Sequence, residues 1–120
     1  MSIIYLASPY THEDNEVMLS RFEAAVDYVH QSLTDFPFYT IYSPVVHYHP
    51  LAERHLLPRD YEFWNKRNTD VICVAKELWV LALDGWKDSV GIKAEVEYAE
   101  SLGIPISYIY ETTKELVNGQ

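Results

Sequence analysis

Leu78-Trp79-Val80-Leu81-Ala82-Leu83 is apolar throughout, and Asp84-Gly85-Trp86-Lys87 turns out of it. An apolar run of this length, bounded by turn residues, predicts a strand buried on both faces. Helical spacing follows from about Val90 to Leu102 and stops at Gly103, a common helix-end residue. Ile104 to Tyr110 is β-rich again. Upstream the alternation repeats. Ile3-Ile4-Tyr5-Leu6-Ala7 predicts a buried strand, broken by Ser8-Pro9-Tyr10-Thr11. Glu13 to about Leu33 carries Val17, Phe22, Ala25, Val26, Val29 and Leu33 at helical spacing, with acidic residues in its first turn. Tyr39-Thr40-Ile41-Tyr42 predicts a second strand. Ser43 to Pro58 holds three prolines and three histidines and reads as a long ordered loop with room for one short helix. A further helix is expected from about Arg59 to Val74. The tail after Tyr110 reads as a short or frayed helix.

The order β-α-β-α-β-α-β, with continuous apolar strands, predicts an α/β fold. It is a single Rossmann-like (flavodoxin-like) three-layer sandwich over residues 1–120, with a mostly parallel sheet of four to five strands. Such sheets bind ligands beyond the carboxyl ends of their strands. Ser8-Pro9-Tyr10, the Ser43 loop and Asp84 to Gly91 meet there.

The chain has 120 residues, 48% of them hydrophobic, enough apolar material for the core of one ordinary domain. Its formal net charge of −9 argues against a nucleic-acid polymer as partner, since phosphate backbones require basic patches. A single phosphate remains accessible to backbone N–H groups and hydroxyls. Cys73 is the only cysteine, so no disulfide framework or cysteine metal spacing is present. It reads as a core thiol. The opening residues lack a basic leader and a long apolar run. A cytoplasmic protein without membrane partner is expected.

The helix after Leu78–Leu83 carries the chemistry. At about 100° per residue, Ile92, Val96, Ala99 and Leu102 share one stripe. Glu95 falls inside it, whereas Lys93, Glu97 and Glu100 lie opposite. A carboxylate on an apolar stripe is costly unless it is hydrogen-bonded, paired or facing a cavity. Glu95 therefore either meets a neighbouring backbone or subunit, or is a functional carboxyl with an adjusted pKa. Asp70 sits at the edge of the preceding helix's stripe of Phe63, Trp64, Val71 and Val74, with Arg67 near its middle. It forms an ion pair with Arg67 or faces Glu95 as a second acid–base group. Ser89 is a good N-cap. With Gly91 it also makes a helix N-terminus suited to a phosphate or hydroxyl. His47-Tyr48-His49 has the spacing of one strand face and no third ligand nearby, so no metal site and no cofactor are expected.

Three patches resemble the nucleoside 2-deoxyribosyltransferase-like superfamily. They are Ile4-Tyr5-Leu6-Ala7-Ser8-Pro9-Tyr10, then Asp70 eight positions before the Leu78–Leu83 strand, then Ser89-Val90-Gly91-Ile92-Lys93-Ala94-Glu95, which resembles that group's Gly-x-x-x-Glu helix. Gly85-Trp86, Ser89-x-Gly91 and the His-x-His-Pro segment are most similar to a small phage and bacterial subgroup. The resemblance implies catalytic Glu95 (nucleophile), Asp70 and Tyr5, and substrate-binding Ser8, Tyr10, Ser89 and Gly91. It implies a retaining cleavage of a small-molecule nucleotide or nucleoside, and a homo-oligomer, a dimer or larger. The 2′-deoxynucleoside 5′-monophosphate N-hydrolases have serine where Ser89 stands, and nucleoside-specific transferases have aspartate. Ser89 thus favours a nucleoside 5′-monophosphate, although Glu97 stands where those relatives usually have glycine. Base exchange between nucleosides and a non-catalytic nucleotide-binding module are the alternative activities.

Overall fold

The computed structural model describes residues 2–55 and 61–110. Four parallel strands, β1 (Ile3–Ala7), β2 (Thr40–Tyr42), β3 (Glu77–Leu81) and β4 (Ile106–Ile109), lie in the order β2-β1-β3-β4. Tyr5 stands opposite Tyr42 on one side and Leu78 on the other. The chain leaves β1 toward β2 and then crosses back to place β3 on its other flank. The sheet's topological switch point therefore lies between β1 and β3, where such folds open a crevice.

β1 and β3 are central strands, which is why they read as unbroken apolar runs. Ile4, Tyr5, Leu6 and Ala7 are fully buried. Successive side chains alternate between faces. Ile4 and Leu6, with Trp79 and Leu81, pack against Ala24, Tyr28 and Val29 of α1 (Asn15–Asp35). Tyr5 and Ala7, with Leu78 and Val80, pack against Ile72 of α3 (Tyr61–Ile72) and against Ile92 and Ala99 of α4 (Val90–Ser101). The three-layer α/β sandwich expected from the sequence is the observed one. Its alternation puts the Tyr5 side chain under the helix that carries Glu95.

The main departure is α2 (Pro44–His55), a twelve-residue helix that fills most of a segment expected to be a long ordered loop with room for one short helix. Ser43 caps it: its Oγ accepts from the Val46 N–H at 3.1 Å and its carbonyl from the His47 N–H at 3.0 Å. Pro44 occupies the first helical position, where a missing N–H costs nothing. Pro44 thus marks a helix start rather than a loop. Only Pro50 sits inside the helix. Pro58 and the tail after Tyr110 lie outside the described residues.

α4 ends as its glycine predicts. Gly103 has φ 73°, its N–H donates to the Glu100 carbonyl and the Ile104 N–H to the Ala99 carbonyl, both at 3.0 Å. This is the Schellman arrangement. Gly85, before a 3-10 turn at Trp86–Asp88, has φ 88°. A Cβ there would stand 2.6 Å from Nη2 of Arg21. The Arg21 guanidinium donates to the Tyr10 and Thr11 carbonyls at 3.3 and 3.1 Å and to the Asp84 carbonyl at 3.2 Å. It ties the loop after β1 to the loop after β3. Gly85→Ala is therefore expected to destabilise the protein by about 1–3 kcal/mol, from left-handed backbone strain plus a displaced Arg21. Urea denaturation of the two proteins checks this, and a loss below the strain cost alone is the contrary result.

Candidate active site

A cavity of about 400 Å³ opens at the carboxyl ends of β1 and β3, within the range of small-ligand sites. Ser8 and Tyr10 come from the loop after β1, Tyr48 and His49 from α2, Trp64 and Asn68 from α3, and Ser89, Gly91 and Glu95 from the start of α4. Of the residues expected from the sequence, Ser8, Tyr10, Ser89, Gly91 and Glu95 line the cavity, and Tyr5 lies buried behind Glu95, to which it is hydrogen-bonded.

Glu95 is 8% exposed. The buried Tyr5 hydroxyl donates to its Oε2, and the Asn68 amide approaches the same oxygen at 3.5 Å. Burial pushes the Glu95 carboxyl up from 4.5 to about 7, and the Tyr5 hydrogen bond pulls the other way. Desolvation of the charged form outweighs one donated bond. Burial, and after it the adjacent Glu95, holds the Tyr5 phenol well above its ordinary value, so Tyr5 stays protonated and remains a donor. Removing that donor removes the closest hydrogen bond that favours the carboxylate and leaves only the longer Asn68 contact. Tyr5→Phe is expected to move the Glu95 titration midpoint above 7, read by carboxyl-carbon NMR across pH. An unmoved or lowered midpoint is the contrary result.

Two polar atoms on the cavity, Ser8 Oγ and Asn68 Oδ1, are buried without a hydrogen-bond partner among the described residues. Buried polar groups are rarely left unsatisfied without a reason, and functional sites are one such reason. The walls are aromatic. Tyr48 and Trp64 have ring centroids 4.5 Å apart, and His49 stacks on Phe22 at 4.3 Å. Ser89 caps α4, its Oγ accepting from the Ile92 N–H at 3.2 Å. A Cβ at Gly91 would meet nothing nearer than Ser89 Oγ at 3.8 Å. Glycine here keeps cavity space open rather than relieving a clash.

Asp70 does not join this group. It is exposed and lies off the cavity lining. Two residues along a helix are about 200° apart, so with Asn68 turned inward Asp70 turns away. Arg67 does not pair with it: the guanidinium sits 4.4 Å over the Phe63 ring and donates to the Phe63 carbonyl at 2.9 Å. Val74 is exposed rather than part of a buried stripe. Cys73 is also exposed rather than a core thiol, its Sγ 3.2 Å from the Asp70 carbonyl.

His47 and His49 are not on one strand face. On α2 their two-residue spacing sends His47 outward and buries His49. Asn68, Trp64, Tyr48 and His49 escaped the sequence reading as site residues. His49 had a signal, since the His-x-His-Pro segment had been singled out. Asn68 had none beyond its helical offset from Trp64.

A family described as a domain of unknown function, DUF1937, matches residues 2–111. The chain belongs to this family. A DUF1937 chain thus has the parallel sheet and the cavity described above. Among solved structures it is similar to the 2-deoxyribosyltransferase of the psychrotolerant bacterium Bacillus psychrosaccharolyticus. The TM-score is 0.56 at 25% identity, over 91% of this chain and 72% of that one. The nucleoside deoxyribosyltransferase-like fold expected from the resemblance is therefore present. No curated protein matches the sequence. Among the described residues no helix is long and apolar enough to cross a membrane.

Proposed function

We propose that this DUF1937 protein cleaves the N-glycosidic bond of a (deoxy)nucleoside 5′-monophosphate, with Glu95 as nucleophile. One observation carries the reading. A buried carboxyl, held by a protonated tyrosine, faces an aromatic-walled cavity at the switch point of a deoxyribosyltransferase-like sheet. A Glu95 oxygen forms a bond to C1′ while the C1′–N bond breaks, its electron pair leaving with the base. Water then attacks C1′ and releases the carboxylate, with retention. Tyr5 orients the carboxylate by holding Oε2. Tyr48 and Trp64 offer the planar surfaces a base requires. Ser8, Ser89 and the N–H groups at the start of α4 hold the 5′ end. Such enzymes need no cofactor, and a homo-oligomer in the cytoplasm is part of the same proposal.

A second reading has its own support. Asp88 also lines the cavity, and no Lys or Arg does among the described residues. A carboxylate beside Ser89 repels a phosphate and accepts from a 5′-hydroxyl. That favours a nucleoside, and with it exchange of one base for another.

Chromatography separates these readings. Wild-type protein is incubated with deoxyribo- and ribonucleoside monophosphates and the matching nucleosides, with and without an acceptor base. Base released from a monophosphate without acceptor is the expected result. Turnover of nucleosides that requires an acceptor selects the transferase. Binding without turnover of any of them selects a non-catalytic module and overturns the proposal.

A further inference from the structure

Departure of a purine or pyrimidine requires a proton or a strong hydrogen bond at the leaving nitrogen, and Asp70, expected in that role, points away from the cavity. Another set of groups faces it. The Tyr10 hydroxyl lies 2.5 Å from Nδ1 of His49, and Nε2 of His49 lies 3.1 Å from Oε2 of Glu53, one helical turn on. His49 is 5% exposed, lodged between the Phe22 ring, stacked at 4.3 Å, and the Tyr10 ring, edge-on at 5.4 Å. Arg21 holds the Tyr10 backbone at its carbonyl. Tyr10 and His49 both line the cavity that Glu95 lines.

A carboxylate only accepts, so Glu53 takes the Nε2–H and turns Nδ1 toward Tyr10. That ring has two working forms. As imidazolium, Nδ1–H donates to the Tyr10 oxygen and leaves the phenolic O–H directed elsewhere. As neutral imidazole, Nδ1 accepts the phenolic proton. The same pair of atoms thus passes a proton out in one form and back in the other.

The geometry points to Tyr10 as the catalytic acid–base group for the base, with His49 and Glu53 as positioning residues that reload it. The assignment rests on the N-glycosidic reading above. As the C1′–N bond breaks, the base takes the Tyr10 proton, and Tyr10 takes the Nδ1 proton of the imidazolium. His49 is left neutral. When water attacks C1′ of the glycosyl-enzyme, its oxygen bonds to C1′ and its proton returns through Tyr10 to Nδ1. Glu95 departs as carboxylate, and the relay is restored.

The test compares two leaving groups. 2′-Deoxyguanosine 5′-monophosphate needs a proton on its base. The 7-methyl derivative carries a cationic base that leaves neutral without one. If wild type prefers nucleosides, the matching nucleoside pair serves. Tyr10→Phe keeps the ring beside His49, and is expected to slow release from the unmethylated substrate by ~10²-fold or more. With release read in a single turnover with enzyme in excess, where hydrolysis of the glycosyl-enzyme does not enter, the methylated substrate should change by less than about threefold. His49→Gln should show the same selectivity with a smaller loss. Equal losses on both substrates in both variants mean a structural role and overturn the relay while sparing the N-glycosidic reading. Release of base from neither substrate by wild type overturns both.

Discussion

Glu95→Gln is expected to reduce base release at least ~10³-fold while leaving nucleotide affinity within about threefold. The substitution is nearly isosteric, and the amide oxygen still accepts from the Tyr5 hydroxyl that bonds Oε2 in the native chain. The cavity walls of Tyr48, Trp64 and Ser89 are untouched, so ground-state binding has no reason to change. What disappears is an anionic oxygen able to bond to C1′, and a neutral amide is a very weak nucleophile. An effect on the chemical step that spares binding is the signature of an interaction made only in the transition state. Calorimetry and base release, measured on the same preparation, test the two halves separately. Turnover equal to wild type would show that the chemistry does not pass through Glu95. A parallel loss of binding and turnover would make Glu95 a binding group.

The fold was legible because its central strands announce themselves. Ile3–Ala7 and Leu78–Leu81 are apolar on both faces, as expected of central strands in a parallel sheet covered by helices on both sides. Glu95 was legible for the converse reason: an acid at an apolar helical position is costly unless the site uses it. Ser89 and Gly91 followed from their place at a helix start. Asp70 misled because α3 has a weak apolar face. Phe63, Trp64 and Val71 are only half-buried and Val74 is exposed, so the pattern did not fix the helix's rotation about its axis. Asp70, at the edge of that stripe, could be read as facing Glu95, whereas Asn68, two residues earlier, is the one that reaches it. His49 was hidden differently. Prolines made its segment look like a loop, and the Ser43–Pro44 cap that makes it a helix depends on one hydroxyl's contact with the Val46 N–H. Partners such as Glu53, four residues on, become neighbours only once that helix exists.

Stability and activity should move in opposite directions as pH rises through one window. In the unfolded chain Glu95 titrates near 4.5, and burial in the fold raises it to about 7. Between those values the folded protein binds the proton and the unfolded chain does not, so stability falls as pH rises. The benefit of the neutral carboxyl is complete below about pH 4.5 and gone once pH passes about 7. A shift of this size is worth ~3 kcal/mol. Glu95→Gln has no proton to lose, so its stability advantage over wild type should grow by that amount between pH 4.5 and 8, read by urea denaturation at several pH values. The nucleophile must be the carboxylate, so kcat/KM should rise through the same interval and level off above pH 7. A substrate with a pre-charged base isolates this limb, since its departure needs no acid. Tyr5→Phe removes the bond that favours ionisation, and should carry both midpoints upward together. If the rate midpoint moves and the stability midpoint stays, the group controlling the rate is not the group whose burial costs the fold its stability, and Glu95 cannot be both.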